Sequence, residues 1–310
     1  MDETATHDLQ TPEHAIRDFS RFYTRRMGLL EPGFLDSRFT LTQARVLYEL
    51  ATRDDLCAST IAQDLGLDPG YLSRILSRFR QDGLLEAFPS KSDGRRSILR
   101  LTEAGRSAYA RLDRASQAQA GELVGALGIS NRRQLIRALS EARMLIDPAD
   151  RRPVDFREFA VGDLGWIAHR QGLLYHDEYG FDLGFEALVA EILVAFARRA
   201  PSQGERGWIA ERGGAIVGSV FLMRESEDVG RLRLLYVEPA LRGQGVGRRL
   251  VEACVDRARS AGYRRMVLWT NDILASARHI YEAAGFQCTA RNAHRSFGRD
   301  LVGEDWELAL

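Results

Sequence analysis

Apolar positions in the first half of the chain recur at helical steps. In the second half they switch between helical and strand-like spacing. Ile16, Phe19, Phe22, Tyr23 and Met27 fall three and four residues apart, which predicts an amphipathic helix from 12 to about 30. Further helices are predicted over 42–51, with Thr40 or Thr42 as cap, and over 59–65. The run Gly66-Leu67-Asp68-Pro69 then makes a turn in which Asp68 can cap and Pro69 can take the first helical position. The helix that follows, 69–81, puts Leu72, Ile75, Leu76 and Phe79 on one face and Gly70, Tyr71, Ser73, Arg74, Ser77 and Arg78 on the other. Two helices joined by a short turn, the second with a polar and basic outer face, form a helix-turn-helix. Short strands over 85–89 and 97–101 flank the tip Ser92-Asp93-Gly94-Arg95-Arg96, where Asp-Gly favours a tight hairpin. A basic hairpin behind a helix-turn-helix is a winged helix. Helical spacing resumes from 103 to 146.

Around 148–153 the chain is polar, carries Pro148 and Pro153, and loses apolar periodicity, so it reads as a linker between a domain over 1–147 and one over 154–310. The second domain is predicted to hold strands over 154–159, 208–211, 215–223, 231–237, 265–270, 286–290 and 304–308. Helices are predicted over 164–175 and 185–198, after 247, and after Asn271. The fold class is therefore two domains: a mainly α winged helix-turn-helix, then an α+β domain built on a mixed sheet.

Composition narrows this little. The chain has 310 residues and equal numbers of basic and acidic side chains, 43 each. The neutrality is not uniform. From 71 to 106 there are eight basic residues (Arg74, Arg78, Arg80, Lys91, Arg95, Arg96, Arg100, Arg106) against four acids, a net +4 suited to facing phosphates. No apolar run is long enough to cross a membrane, and Met1-Asp2-Glu3-Thr4 is too acidic for a signal peptide. The three cysteines, Cys57, Cys254 and Cys288, lack metal spacing. They suggest a reducing cytoplasm with no metal and no disulfide framework, and Cys254 reads as core.

Arg242-Gly243-Gln244-Gly245-Val246-Gly247-Arg248 is the densest candidate site. It joins a strand ending Leu235-Tyr236-Val237 to a helix. Glycines let backbone N–H groups approach an anion, and a helix N-terminus adds unpaired donors and partial positive charge. A pyrophosphate-bearing ligand fits such a turn. A Walker loop would need a lysine, and Lys91 is the only one in the chain.

This loop, with Leu235-Tyr236-Val237-Glu238-Pro239 before it and the Tyr281-to-Gly285-Phe286 spacing after it, resembles the GNAT superfamily of N-acetyltransferases over about 154–310. The first half resembles the MarR family of regulators over about 12–146. There the matching residues are Ala62-Gln63-Asp64-Leu65, Tyr71-Leu72-Ser73-Arg74, Asp93-Gly94-Arg95-Arg96 and Leu101-Thr102 with Gly105. The MarR resemblance implies a homodimer on duplex DNA, paired through helices 12–30 and 103–146. Helix 69–81 would enter the major groove with Tyr71, Ser73, Arg74, Ser77 and Arg78, and the wing would bring Arg95 and Arg96 to the minor groove.

The GNAT resemblance implies direct acetyl transfer from acetyl-CoA to a primary amine, such as a small amine or an amino acid. Residues 243–248 would hold the pyrophosphate, helped by Arg242. A main-chain N–H of Val237 or Leu235 would polarise the thioester, with Tyr236 beside it. Tyr281 would protonate the departing thiolate, and Asn271 and Ala277 would contact CoA. For the base that deprotonates the amine, His176 and Glu178 are candidates in a loop after the first helix; Asp177, Glu225, Glu227 and water are alternatives. Two rival arrangements use the same residues: a regulator whose second domain only senses acetyl-CoA or an amine, and an acetyltransferase whose winged helix is only a dimer scaffold.

Overall fold

A computed structural model of the protein describes residues 11–31, 33–89, 97–147, 149–199 and 204–310. They form two compact units, Met1–Leu127 and Gly128–Leu310. In the first, α1 (Pro12–Arg26) precedes the helix-turn-helix core of α2 (Leu41–Thr52), α3 (Ala58–Leu65) and α4 (Pro69–Gln81). A two-stranded antiparallel hairpin follows, β1 (Leu85–Pro89) with β2 (Ser97–Leu101), and then α5 (Glu103–Gly125). The helix starts are locally encoded. Thr40 and Gln43 form a reciprocal capping box, and the Asp68 carboxylate accepts from the Tyr71 N–H at 2.8 Å. Gly66 ends α3 at φ +61°, a left-handed conformation that costs a residue without Cβ nothing. Leu47, Ile61, Leu72 and Phe79 fill the core. α1 buries no residue: Ile16, Phe19, Phe22 and Tyr23 leave an apolar stripe about half exposed.

The second unit opens with α6 (Ile129–Ile146) and β3 (Asp155–Glu158), then α7 (Asp163–Tyr179) and α8 (Leu183–Arg199). β4 (Arg206–Arg212), β5 (Ala215–Arg224) and β6 (Val229–Val237) lead into α9 (Val246–Ser260) and β7 (Arg265–Asn271). α10 (Ala275–Ala283), β8 (Gln287–Ser296) and β9 (Arg299–Ala309) complete it. The seven strands lie in the order β3-β4-β5-β6-β7-β9-β8, antiparallel except for the β6–β7 pair. β5 is buried along nearly its whole length because both faces are covered. Ile216, Phe221 and Met223 meet residues of α7 and α8, while Val217, Val220 and Leu222 join the α9 core around Leu250 and Cys254.

Three features depart from the pattern reading. The helical stretch over 103–146 is two helices, parted at 126–128, and the unit boundary falls there, ahead of the expected linker at 148–153. α6 sides with the second unit because Met144 joins its core and the Ser140 hydroxyl donates to the Gly213 carbonyl. The segment read as a linker is also pinned at Asp150 and Arg152. Asp150 is buried and its carboxylate accepts three hydrogen bonds from the Arg152 guanidinium (2.7–3.1 Å), and its carbonyl accepts from Arg212 at 2.9 Å. Polar composition there reflects mutual satisfaction rather than solvation. Finally, β8 and β9 run well past their expected bounds to a turn at Phe297 (φ +56°) and Gly298 (φ +76°). The outer half of β8 carries Arg291, Asn292, His294 and Arg295, so no apolar alternation marks it, and that of β9 opens on Arg299 and Asp300 before Leu301 and Val302.

Candidate functional site

The site is built where β6 and β7 part. They pair only at Val229–Arg265, Gly230–Met266 and Arg231–Val267, and a cleft opens beyond. On β6 the register with β5 passes from Arg233–Phe221 to Tyr236–Ser219, so Leu234 and Leu235 stand opposite Val220 alone. This bulge sets Leu234 at φ +51° and re-aims the strand end into the cleft.

At the mouth lies a groove of about 500 Å³, lined by Arg242, Gly243, Gly245, Val246, Gly247 and Arg248 among others. No side chain caps the first turn of α9, leaving its N–H groups to this groove. Gly243 (φ +73°) and Gly245 (φ +79°) hold left-handed backbone. Gly247 serves packing instead: a Cβ there would lie 2.8 Å from Ile280 Cδ1. Gln244 turns away, its amide nitrogen donating to the Ala240 carbonyl (2.9 Å) and its oxygen accepting from Arg212 (3.0 Å). Arg242 donates to Glu178 at 3.0 Å, and Arg248, largely exposed, pairs with Glu252 at 3.6 Å.

A second cavity shares Val237, Arg242, Ser276 and Ile280 with the groove and runs past Leu235, Tyr236 and Ala277. A third shares Tyr175, Leu235, Leu274 and Ala277 with the second and includes Asn271, Trp269 and Tyr281. Loop, strand end and α10 thus border three adjoining cavities that share lining residues. Tyr281 is buried against Phe286 and Trp306, and burial pushes its phenol pKa well up. Asn271 is held from behind, its Oδ1 accepting from His294 Nε2 (3.0 Å), while His294 Nδ1 lies 2.9 Å from the Ser296 hydroxyl. Tyr236 directs its hydroxyl onto the Glu238 carboxylate, which in turn binds Arg170 through two bonds of 2.6 and 2.8 Å. Glu238, which reads as a surface acid in the sequence, is therefore part-buried and paired. Cys254 is fully buried, and burial pushes its thiol pKa up, as suits a core residue.

His176 and Glu178 sit differently from expectation. α7 continues to Tyr179 before Gly180 caps it at φ +68°, so 176–178 form its last helical turn rather than a loop. His176 Nδ1 lies 2.9 Å from the Phe181 carbonyl, and Glu178 is engaged by Arg242. Neither lines any of the three cavities, whereas their neighbours Tyr175 and Tyr179 line the second. Glu225 is tied to Arg231 at 2.6 and 2.7 Å, which lowers its pKa and its basicity. The sequence reading missed Gln171, Arg233 and Phe297, all lining the third cavity.

In the first unit, α4 buries Leu72, Ile75, Leu76 and Phe79 and exposes Tyr71, Ser73, Arg74, Ser77 and Arg78. Arg74 sits over the Tyr71 ring at 5.9 Å, and Arg78 pairs with Asp82 at 3.3 Å. Arg95 and Arg96 lie outside the described residues. Among the described residues no helix is long and apolar enough to span a membrane, and no cluster of ligating side chains is arranged for a metal.

Residues 39–97 match the model of the MarR family, and residues 174–286 match that of the acetyltransferase (GNAT) family. The chain thus carries a MarR-family segment and a GNAT-family segment in one polypeptide. N-acetyltransferase family 8 member 2 of Rattus norvegicus is 39% identical over 101 residues, 31% of this chain and 44% of that one. The Uncharacterized N-acetyltransferase YjgM of Escherichia coli K12 is 32% identical over 87 residues, 27% of this chain and 52% of that one. The chain spans about half the length of the curated relatives it matches. A crystal structure of ribosomal-protein-alanine N-acetyltransferase from Brucella melitensis aligns at 21% identity and a TM-score of 0.43, covering 50% of this chain and 99% of that one.

Proposed function

We propose that the second unit is an acetyl-CoA-dependent N-acetyltransferase acting on a primary amine, and that the first unit binds duplex DNA as a homodimer. The observation that carries the enzymatic reading is the row of adjoining cavities from the uncapped α9 N-terminus, along the bulged end of β6, to Tyr281. The donor fits this chain's residues. Left-handed Gly243 and Gly245 leave main-chain N–H groups open to a pyrophosphate, and the groove has room for it. When bound, acetyl-CoA supplies an acetyl thioester. The amine nitrogen forms its bond to the acetyl carbon as the carbon–sulfur bond breaks. A main-chain N–H of Leu235 or Val237 polarises the carbonyl. Tyr281, kept protonated by burial, gives its proton to the leaving sulfur. No carboxylate or imidazole lines the second or third cavity among the described residues, so the amine's own proton leaves to water. Gly245→Glu places a side chain and a negative charge in the cradle; calorimetric titration is expected to find acetyl-CoA binding abolished, and unchanged affinity would remove the cradle.

The DNA reading rests on α4, whose outer face is polar and basic while its apolar face is fully sequestered. Dimerisation is supported by the apolar stripe of α1, which a single chain leaves about half exposed.

A further inference from the structure

The third cavity has one charged residue among those that line it, Arg233, and no acid. Phe185, Trp269, Phe297 and Leu188 supply mostly apolar walls. Arg233 has no ion-pair partner among the described residues. Glu225, the acid whose charge reaches Arg233, is already committed to Arg231 through two bonds. Burial lowers the pKa of the part-buried Arg233, Arg231 adds like-charge repulsion, and the attraction of Glu225 offsets these only in part. A second, independent group is also left waiting. Gln171 is 1% exposed, lines the same cavity, and its side-chain nitrogen has no hydrogen-bond partner. A buried donor without an acceptor costs on the order of 1–3 kcal/mol, a cost a bound ligand would remove.

We propose that this cavity takes an acceptor bearing a carboxylate beside its primary amine, an α-amino acid with an apolar side chain, with Arg233 and Gln171 receiving the carboxylate. The proposal rests on the acetyl-transfer reading above and names its substrate class. Arg233 supplies charge-assisted donors and Gln171 a neutral one, both suited to carboxylate oxygens. The walls take the side chain, and the amine is left toward Leu235 and Tyr281. A polycation has no carboxylate to meet in this cavity and would face Arg233 instead.

The test uses the full chain with matched acceptors, phenylalanine against 2-phenylethylamine and leucine against 3-methylbutylamine, following CoA thiol release. For the wild type, kcat/KM is expected to favour each amino acid by about 10- to 100-fold, the range of a hydrogen bond to a charged group. In Arg233→Gln that ratio is expected to fall toward unity. Gln171→Glu, which puts a carboxylate in the cavity, is expected to shift preference toward the plain amine. Equal use of both members of each pair by the wild type, or a parallel loss on both in Arg233→Gln, overturns the proposal. If no acceptor turns over while acetyl-CoA still binds, the transfer reading fails. Calorimetric titration of the same pairs then decides the cavity: preference for the carboxylate, lost in Arg233→Gln, upholds it, and no preference overturns it.

Discussion

Tyr281 and Glu178 show how environment, rather than residue type, assigns roles at this site. The phenol of Tyr281 is buried among aromatic rings, and its raised pKa keeps it protonated through the ordinary phenol range near ~10. The rate of transfer should therefore show no falling limb from this group between neutrality and about pH 10, and Tyr281→Phe should lower kcat by about 100-fold. A pH profile of both forms measures both quantities. Glu178 has the chemistry of a base but is spent on Arg242. Glu178→Gln is expected to free Arg242 for the donor's phosphates and lower the KM for acetyl-CoA a few-fold. A fall in kcat at unchanged KM would instead make Glu178 the base. His176 is tethered in the same turn by the Phe181 carbonyl. A sequence shows that such residues are near each other, but not which partner each has taken.

At the scale of elements, the segment between α6 and β3 is the clearest case of hidden structure. The Asp150 carboxyl, held by Arg152, has its pKa lowered to about 2 from 3.8. Its contribution to stability is complete above about pH 4 and is lost as pH falls toward 2. Thermal melts of Asp150→Asn should show a deficit at neutral pH that shrinks as the wild type is acidified through that window. A constant deficit would place the cause elsewhere. The helices of the first unit were legible because caps and apolar periodicity agree: α4 runs over Pro69–Gln81 as its Asp-Pro start and its four core residues imply. The glycine loop was legible for the same reason, since strand, turn and helix each leave a local mark. The β8–β9 extension was not, because mostly charged and polar residues from Arg291 to Ser296, and Arg299 and Asp300, leave only Leu301 and Val302 as a short apolar mark. Yet its tip brings Phe297 to the third cavity, against Phe181 and Phe185. The β6 bulge and the orphaned Arg233 were equally hidden, since both depend on register and burial rather than on local sequence.

On the scale of the whole molecule, two units with separate cores imply two separable activities. Replacing Arg74 and Arg78 with alanine should weaken DNA binding and lower the slope of log affinity against log salt by about 2, as the loss of two phosphate contacts requires. Mobility-shift titrations at several salt concentrations measure this, and an unchanged slope would mean that the α4 face does not meet the DNA backbone. Acetyl transfer should be indifferent to the same pair of substitutions. The most direct measurement is release of CoA thiol from acetyl-CoA by the full chain, across amines and amino acids, for the wild type and Tyr281→Phe. Turnover on one acceptor class, reduced about 100-fold in Tyr281→Phe, is the expected result. Equal rates in the two forms, or no turnover on any acceptor despite tight acetyl-CoA binding, would contradict it.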